Sequence, residues 1–108
     1  MKQNINEKHE TDADGNPTGG TTTAVGIFIE WQNGPLGRGP EQKPNGAFVE
    51  GVIQAAIGRI KFYQTANGGK LASVENATAL QHLEHALAWL ERRTESRQAR
   101  GVEGTYTP

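Results

Sequence analysis

The residues with most chemistry to offer are the arginines near the end of this 108-residue chain. Trp89, Arg93, Arg97 and Arg100 follow by steps of four, four and three, so on a helix they share one side, with Arg92 one position round. A guanidinium fork matches two phosphate oxygens, and a cation beside an aromatic ring suits a nucleobase. The competing reading is a solvated helix end whose cations complement the C-terminal dipole. Glu91 and Glu95 lie close enough along the helix to neutralise part of that charge.

The run Arg100-Gly101-Val102-Glu103-Gly104-Thr105 carries two glycines where one would stop a helix. Glycines let backbone N–H groups approach an anion closely; a C-cap with a frayed end is the plain alternative. His82 and His85, with Glu84 between them, are three apart, but this is not the His-Glu-x-x-His arrangement and no third ligand is evident, so a packed His82 is preferred to a metal site. Ser73 has no histidine or aspartate near it in sequence to suggest a triad. Gly37-x-Gly39 and Gly68-Gly69 complete no dinucleotide or phosphate-loop fingerprint. No nucleophile with its base is specified, so no enzyme, cofactor or metal is expected.

These groups need a scaffold, and the region from Ser73 onward supplies it. Leu80, Leu83, Leu87 and Leu90 keep a three-four spacing, and Ala79, His82, Ala86 and Trp89 form a second row with the same repeat. A helix with one partner needs one apolar stripe; two rows predict burial against more than its own neighbour. Upstream, Val49, Val52, Ile53, Ala56, Ile57, Ile60 and Tyr63 mark a first helix, with Glu50, Gln54, Arg59 and Lys61 mostly off its apolar face. Asn45 is the expected N-cap. The helix should end near Ala66, where Asn67-Gly68-Gly69 tolerates positive φ. Ser73 should cap the second helix, with Glu75 favourable in its first turn. The short link predicts an antiparallel hairpin.

Ala24 to Gln32 alternates Val25, Ile27, Ile29 and Trp31 with Gly26, Phe28, Glu30 and Gln32, and is the one convincing strand. It must pair with another chain or with part of Asn33 to Lys43, whose Asn33-Gly34-Pro35 through Gly39-Pro40 is turn-rich. Met1 to Thr23 is polar, contains Asp14-Gly15-Asn16-Pro17 and Gly19-Gly20, and reads as flexible coil. The fold class is therefore α+β, one domain after residue 23: strand and turn over 24–44, helical hairpin over 45–100, tail over 101–108.

Composition narrows the function classes. The absence of cysteine excludes a disulfide framework, a thiol nucleophile and a Cys-ligated zinc site. No apolar run reaches membrane-span length and no signal peptide is seen, so a cytoplasmic soluble protein is expected. The net charge of −1 neither demands nor forbids a nucleic-acid partner. At 34% hydrophobic residues the core should be thin for a monomer, and self-association is the remedy.

The ordered set Trp31-Gln32-Asn33-Gly34-Pro35, Glu75-Asn76-Ala77, Arg93-Thr94 and Arg100-Gly101-Val102-Glu103-Gly104-Thr105 resembles the phage Thoeris anti-defence sponge family over about Ala24 to Thr105. Its C-terminal part looks like the helical hairpin which that family shares with an anti-CBASS sponge. The resemblance implies a phage protein that sequesters bacterial immune signals in the infected cell's cytoplasm without degrading them. The signals are cyclic ADP-ribose isomers, such as glycocyclic ADP-ribose, or cyclic oligonucleotides. It implies a small β-element before two long helices, assembled as a dimer or a trimer of dimers with pockets between subunits. Carried over by motif, an ADP-ribose pocket would use Phe62 or Tyr63, Asn76, Arg93 and Arg97. A second pocket, for cyclic trinucleotides, would use Arg100, Gly104 and Thr105. The chain departs from the family pattern in Leu71-Ala72-Ser73-Val74, which replaces an aromatic and a cysteine, and in its loose Asn67-Gly68-Gly69 link.

Spacing adds a constraint. Asn76 and Arg93 are seventeen residues apart on one helix, roughly 25 Å at 1.5 Å per residue. If both touch one small ligand, two subunits must bring opposite helix ends together. Two other functions compete: a nucleic-acid-binding or protein-interaction hairpin, and a phosphodiesterase acting on the same signal.

Overall fold

The structure, a computed structural model, describes residues 1–37 and 42–108. The expectations placed on Arg38, Gly39 and Pro40 lie outside the described residues. The chain is α+β and divides into two compact units: Met1–Phe48 with Gln98–Pro108, and Val49–Arg97.

The first unit holds a three-stranded antiparallel sheet in the order β1-β2-β3, with β1 over Asn6–Thr11, β2 over Pro17–Ala24 and β3 over Ile27–Trp31. This corrects the reading of residues 1–23 as coil. The turn between β1 and β2 is organised by Asp12, whose Oδ1 accepts from the N–H groups of Asp14 and Asn16, each at 2.9 Å. Such side-chain mimicry of a backbone turn is what aspartate does at reversals. β2 pairs on both sides, and close approach is built into it: a Cβ on Gly20 would stand 1.9 Å from the Lys8 carbonyl oxygen. Val25 and Gly26 form the turn into β3, so Val25 is 91% exposed and is not part of the strand alternation. Ile27, Ile29 and Trp31 do share the half-buried face, while Phe28 and Glu30 are exposed.

The partner of β3 is thus the N-terminal strand, supplemented by a parallel bridge between Trp31 and Ala47. Asn45 serves that junction and caps no helix. Its Oδ1 accepts from Asn33 N–H at 2.8 Å, its Nδ2 donates to Asn33 O at 3.0 Å, and its own N–H donates to Gln32 Oε1 at 2.9 Å. The first helix begins four residues later, so Asn45 is too far upstream for an N-cap.

The second unit is the helical hairpin. Helix α1 spans Val49–Gly69, with its last turn broken at Ala66, Asn67 (φ 52°) and Gly68 (φ 67°), where the sequence expects the stop. Helix α2 spans Val74–Ala99. Ser73 Oγ accepts from Asn76 N–H at 3.0 Å, the expected cap. The helices are tied at the link by Gln64 and Ser73 and further along by the Lys61–Glu84 ion pair at 3.5 Å. Val52, Ile53, Ala56 and Ile60 on α1, and Leu80, Leu83, Leu87 and Leu90 on α2, are half-buried. Among the described residues, Ile57 is the buried hydrophobic side chain, so the core is as thin as composition implies. The second row on α2 is open in a single chain: His82 and Ala86 are exposed and Trp89 is 67% exposed. No described helix is long and apolar enough to cross a membrane.

Candidate functional site

The link end of the hairpin gathers groups suited to a nucleotide. Phe62 and Tyr63 lie on the last full turn of α1 and remain exposed, at 53% and 38%. Their ring centroids are 6.2 Å apart, tilted by 52°. The Arg59 guanidinium lies against both, its carbon 5.1 Å from the Phe62 centroid and 4.9 Å from that of Tyr63, and its Nε–H donates to Tyr63 Oη at 3.2 Å. Spacings of three and four on one helix make this possible. Asn76 sits on the first turn of α2. Its backbone N–H is taken by Ser73, while its half-buried carboxamide makes no hydrogen bond among the described residues. Arg59 was passed over in the sequence because it lies off the apolar face. The available signal was an arginine three and four residues before two aromatics.

The far part of α2 carries a second cation–aromatic pair. Arg92 stacks on Trp89, 4.8 Å from the ring centroid, and these two with His85 and Ala88 line a surface concavity of about 280 Å³. Arg93 is exposed and has no ion pair or hydrogen bond among the described residues. Glu91 and Glu95 are exposed on the same turns and make no ion pair among the described residues. Arg97, expected beside Arg93, is only 7% exposed. The step from Leu90 through Thr94 continues the inner stripe, which separates Arg97 from the exposed Trp89 and Arg93; α2 ends at Ala99, so Arg100 lies beyond this helix. His82 and His85 are exposed, and no cluster of three metal-ligating side chains occurs among the described residues.

The tail residues belong to the sheet unit. Gly104 is buried, with φ 79°, and its carbonyl accepts from Gly37 N–H at 2.9 Å. A Cβ there would stand 1.9 Å from the Gly37 carbonyl oxygen, so glycine is required by contact as well as by φ. Thr105 bonds locally: its N–H donates to Val102 O at 3.2 Å, and its hydroxyl donates to the same carbonyl. Arg100 is exposed and donates from Nη1 to Pro108 O at 2.7 Å. Tyr106 Oη donates to Pro17 O, tying the tail to the start of β2.

Comparison with known proteins reaches into both units. A family model described as the Acb2/Tad1 hairpin domain matches residues 24–95, which takes in β3, α1 and most of α2. A protein of Bacillus phage SBSphiJ7 named Thoeris anti-defense 1 is 40% identical over 78 residues, which are 72% of this chain and 51% of that relative. The chain thus spans about half the length of the curated relative it matches. With the hairpin matched from end to end of α1, together with the strand and link that precede and join its helices, the chain belongs to the Acb2/Tad1 hairpin-domain family.

Proposed function

We propose that this chain is a phage anti-defence protein that binds and sequesters cyclic nucleotide immune signals without degrading them. The ligands are cyclic ADP-ribose isomers, and cyclic oligonucleotides at a second pocket. The observation that carries the reading is that Phe62, Tyr63, Asn76 and Arg93 are not consumed by the fold: the rings are exposed, and the Asn76 and Arg93 side chains lack partners among the described residues. Family membership and the name of the phage relative support it. Arg93 supplies a phosphate partner, Asn76 a directional amide, and Phe62 or Tyr63 a stacking surface. The distance between Asn76 and Arg93 along α2 supports a pocket shared by two copies, in a dimer or a trimer of dimers. Arg100, Gly104 and Thr105 form the second pocket, with Gly104 shaping the backbone.

The deciding experiment incubates purified protein with a cyclic ADP-ribose isomer, removes free ligand, denatures the complex by heat and identifies what is released. Intact ligand in defined stoichiometry supports sequestration. A cleaved product means a phosphodiesterase instead. The Trp89–Arg92 stack favours a second reading, a hairpin end that grips a phosphate backbone. That reading requires binding to duplexes of any sequence with steep salt dependence.

A further inference from the structure

Arg59 has no role in the reading above, yet its side chain is more constrained than an exposed arginine's ordinarily is. Two aromatic rings at 5.1 and 4.9 Å and the Tyr63 hydroxyl at 3.2 Å hold one guanidinium. Of five guanidinium N–H donors, the bond to Tyr63 uses Nε–H. The Nη donors have no acceptor among the described residues, and no carboxylate pairs with them. The neighbouring cation, Lys61, is committed to Glu84. A long side chain loses rotamer freedom on gripping a ligand, and here much of that freedom is already lost.

Position gives this meaning. Gln64 bonds to Ser73, which in turn caps Asn76, so Arg59, Phe62, Tyr63 and Asn76 all belong to the link end of the hairpin. Arg93 is roughly 25 Å along α2 from Asn76 at 1.5 Å per residue. Within one chain, Arg59 is a cation held directly against those rings.

We propose that Arg59 is a further ligand-binding residue of this chain. Its Nη donors take a phosphate group of the nucleotide, while Phe62 and Tyr63 hold the guanidinium in place and leave ring surface for the base or ribose. The proposal rests on the sequestration reading, since it needs a phosphate-bearing cyclic nucleotide as ligand. Stacking and the bond to Tyr63 orient the fork, so lysine cannot fully replace it.

The test measures binding of a cyclic ADP-ribose isomer by calorimetry across a salt series, with the full chain and the variants Arg59→Ala, Arg59→Gln, Arg59→Lys and Tyr63→Phe. The expected result is a tenfold or greater loss for Arg59→Ala and Arg59→Gln, with a shallower dependence of log affinity on log salt. Arg59→Lys should recover the salt slope but only part of the affinity, and Tyr63→Phe should lose less than Arg59→Ala. A merely structural arginine would leave the salt slope unmoved. Wild-type affinity and slope in Arg59→Ala and Arg59→Gln, with the parent chain binding, overturn the role of Arg59 alone. A parent chain that binds no such ligand overturns the sequestration reading and this proposal together.

Discussion

Gln64 and Ser73 hold each other at two points. The Gln64 amide donates from Nε2 to Ser73 O at 3.1 Å, and its Oε1 accepts from Ser73 N–H at 2.9 Å. Ser73 therefore fastens the link through its backbone and caps α2 through its hydroxyl, which leaves the two contributions separable by mutation.

Gln64→Ala should destabilise the hairpin by about 1–3 kcal/mol, because the part-buried Ser73 N–H loses its acceptor, while Ser73 O keeps the Ala77 N–H. Ser73→Ala keeps both Gln64 bonds and loses only the cap, about 1 kcal/mol. Urea unfolding followed at 222 nm checks both, and a Gln64→Ala curve that overlays the parent would contradict the clamp.

Gly104→Ala should release the tail, since the added carbon meets the Gly37 carbonyl at 1.9 Å and φ is 79°. The Gly37 amide, which donates to Gly104 O, should then exchange with solvent far faster. Helical signal should persist because α1 and most of α2 belong to the other unit. Unchanged exchange at Gly37 would show that the contact is dispensable.

Trp31→Phe removes the Nε1–H donor that reaches Thr22 Oγ1 at 2.8 Å. Thr22 is buried, so its hydroxyl would be left without this donor, at about 1–3 kcal/mol. The sheet unit should melt earlier, read from amide exchange in β2 and β3. A parent-like exchange pattern would rule the bond out as a stabiliser.

Arg93→Ala should weaken ADP-ribose-type ligands at least tenfold, about 1.4 kcal/mol, while an exposed substitution moves stability by less than about 0.5 kcal/mol. Arg100→Ala should do the same for cyclic trinucleotides. Calorimetry alongside thermal melts separates the two effects, and equal affinity in either variant removes that arginine from its pocket.

The hairpin was legible because helix signals are local. The three-four spacing of Val52, Ile53, Ala56, Ile57 and Ile60 marks the inner face, Asn67 takes the positive φ that ends α1, and Ser73 caps α2. The N-terminal sheet was not legible in the same way. β1 is exposed throughout and β2 is built from threonine and glycine, so their pairing lives in the backbone and leaves no apolar alternation to read. Asn45 misled because the same side chain can cap a helix or clasp a distant strand, and only the fold brings Asn33 to it. At the candidate site, the rings and Arg93 are exposed. The burial of Arg97 depends on where the inner stripe runs, which a row of arginines conceals.

The chain has two tryptophans, and they fall in different units. Trp31 is half-buried and hydrogen-bonded in the sheet, whereas Trp89 stands in solvent against Arg92. Each half of the molecule therefore carries its own fluorophore, a blue-shifted emitter in one and a quencher-accessible emitter in the other. Selective iodide quenching can follow events on the helices without disturbance from the strands.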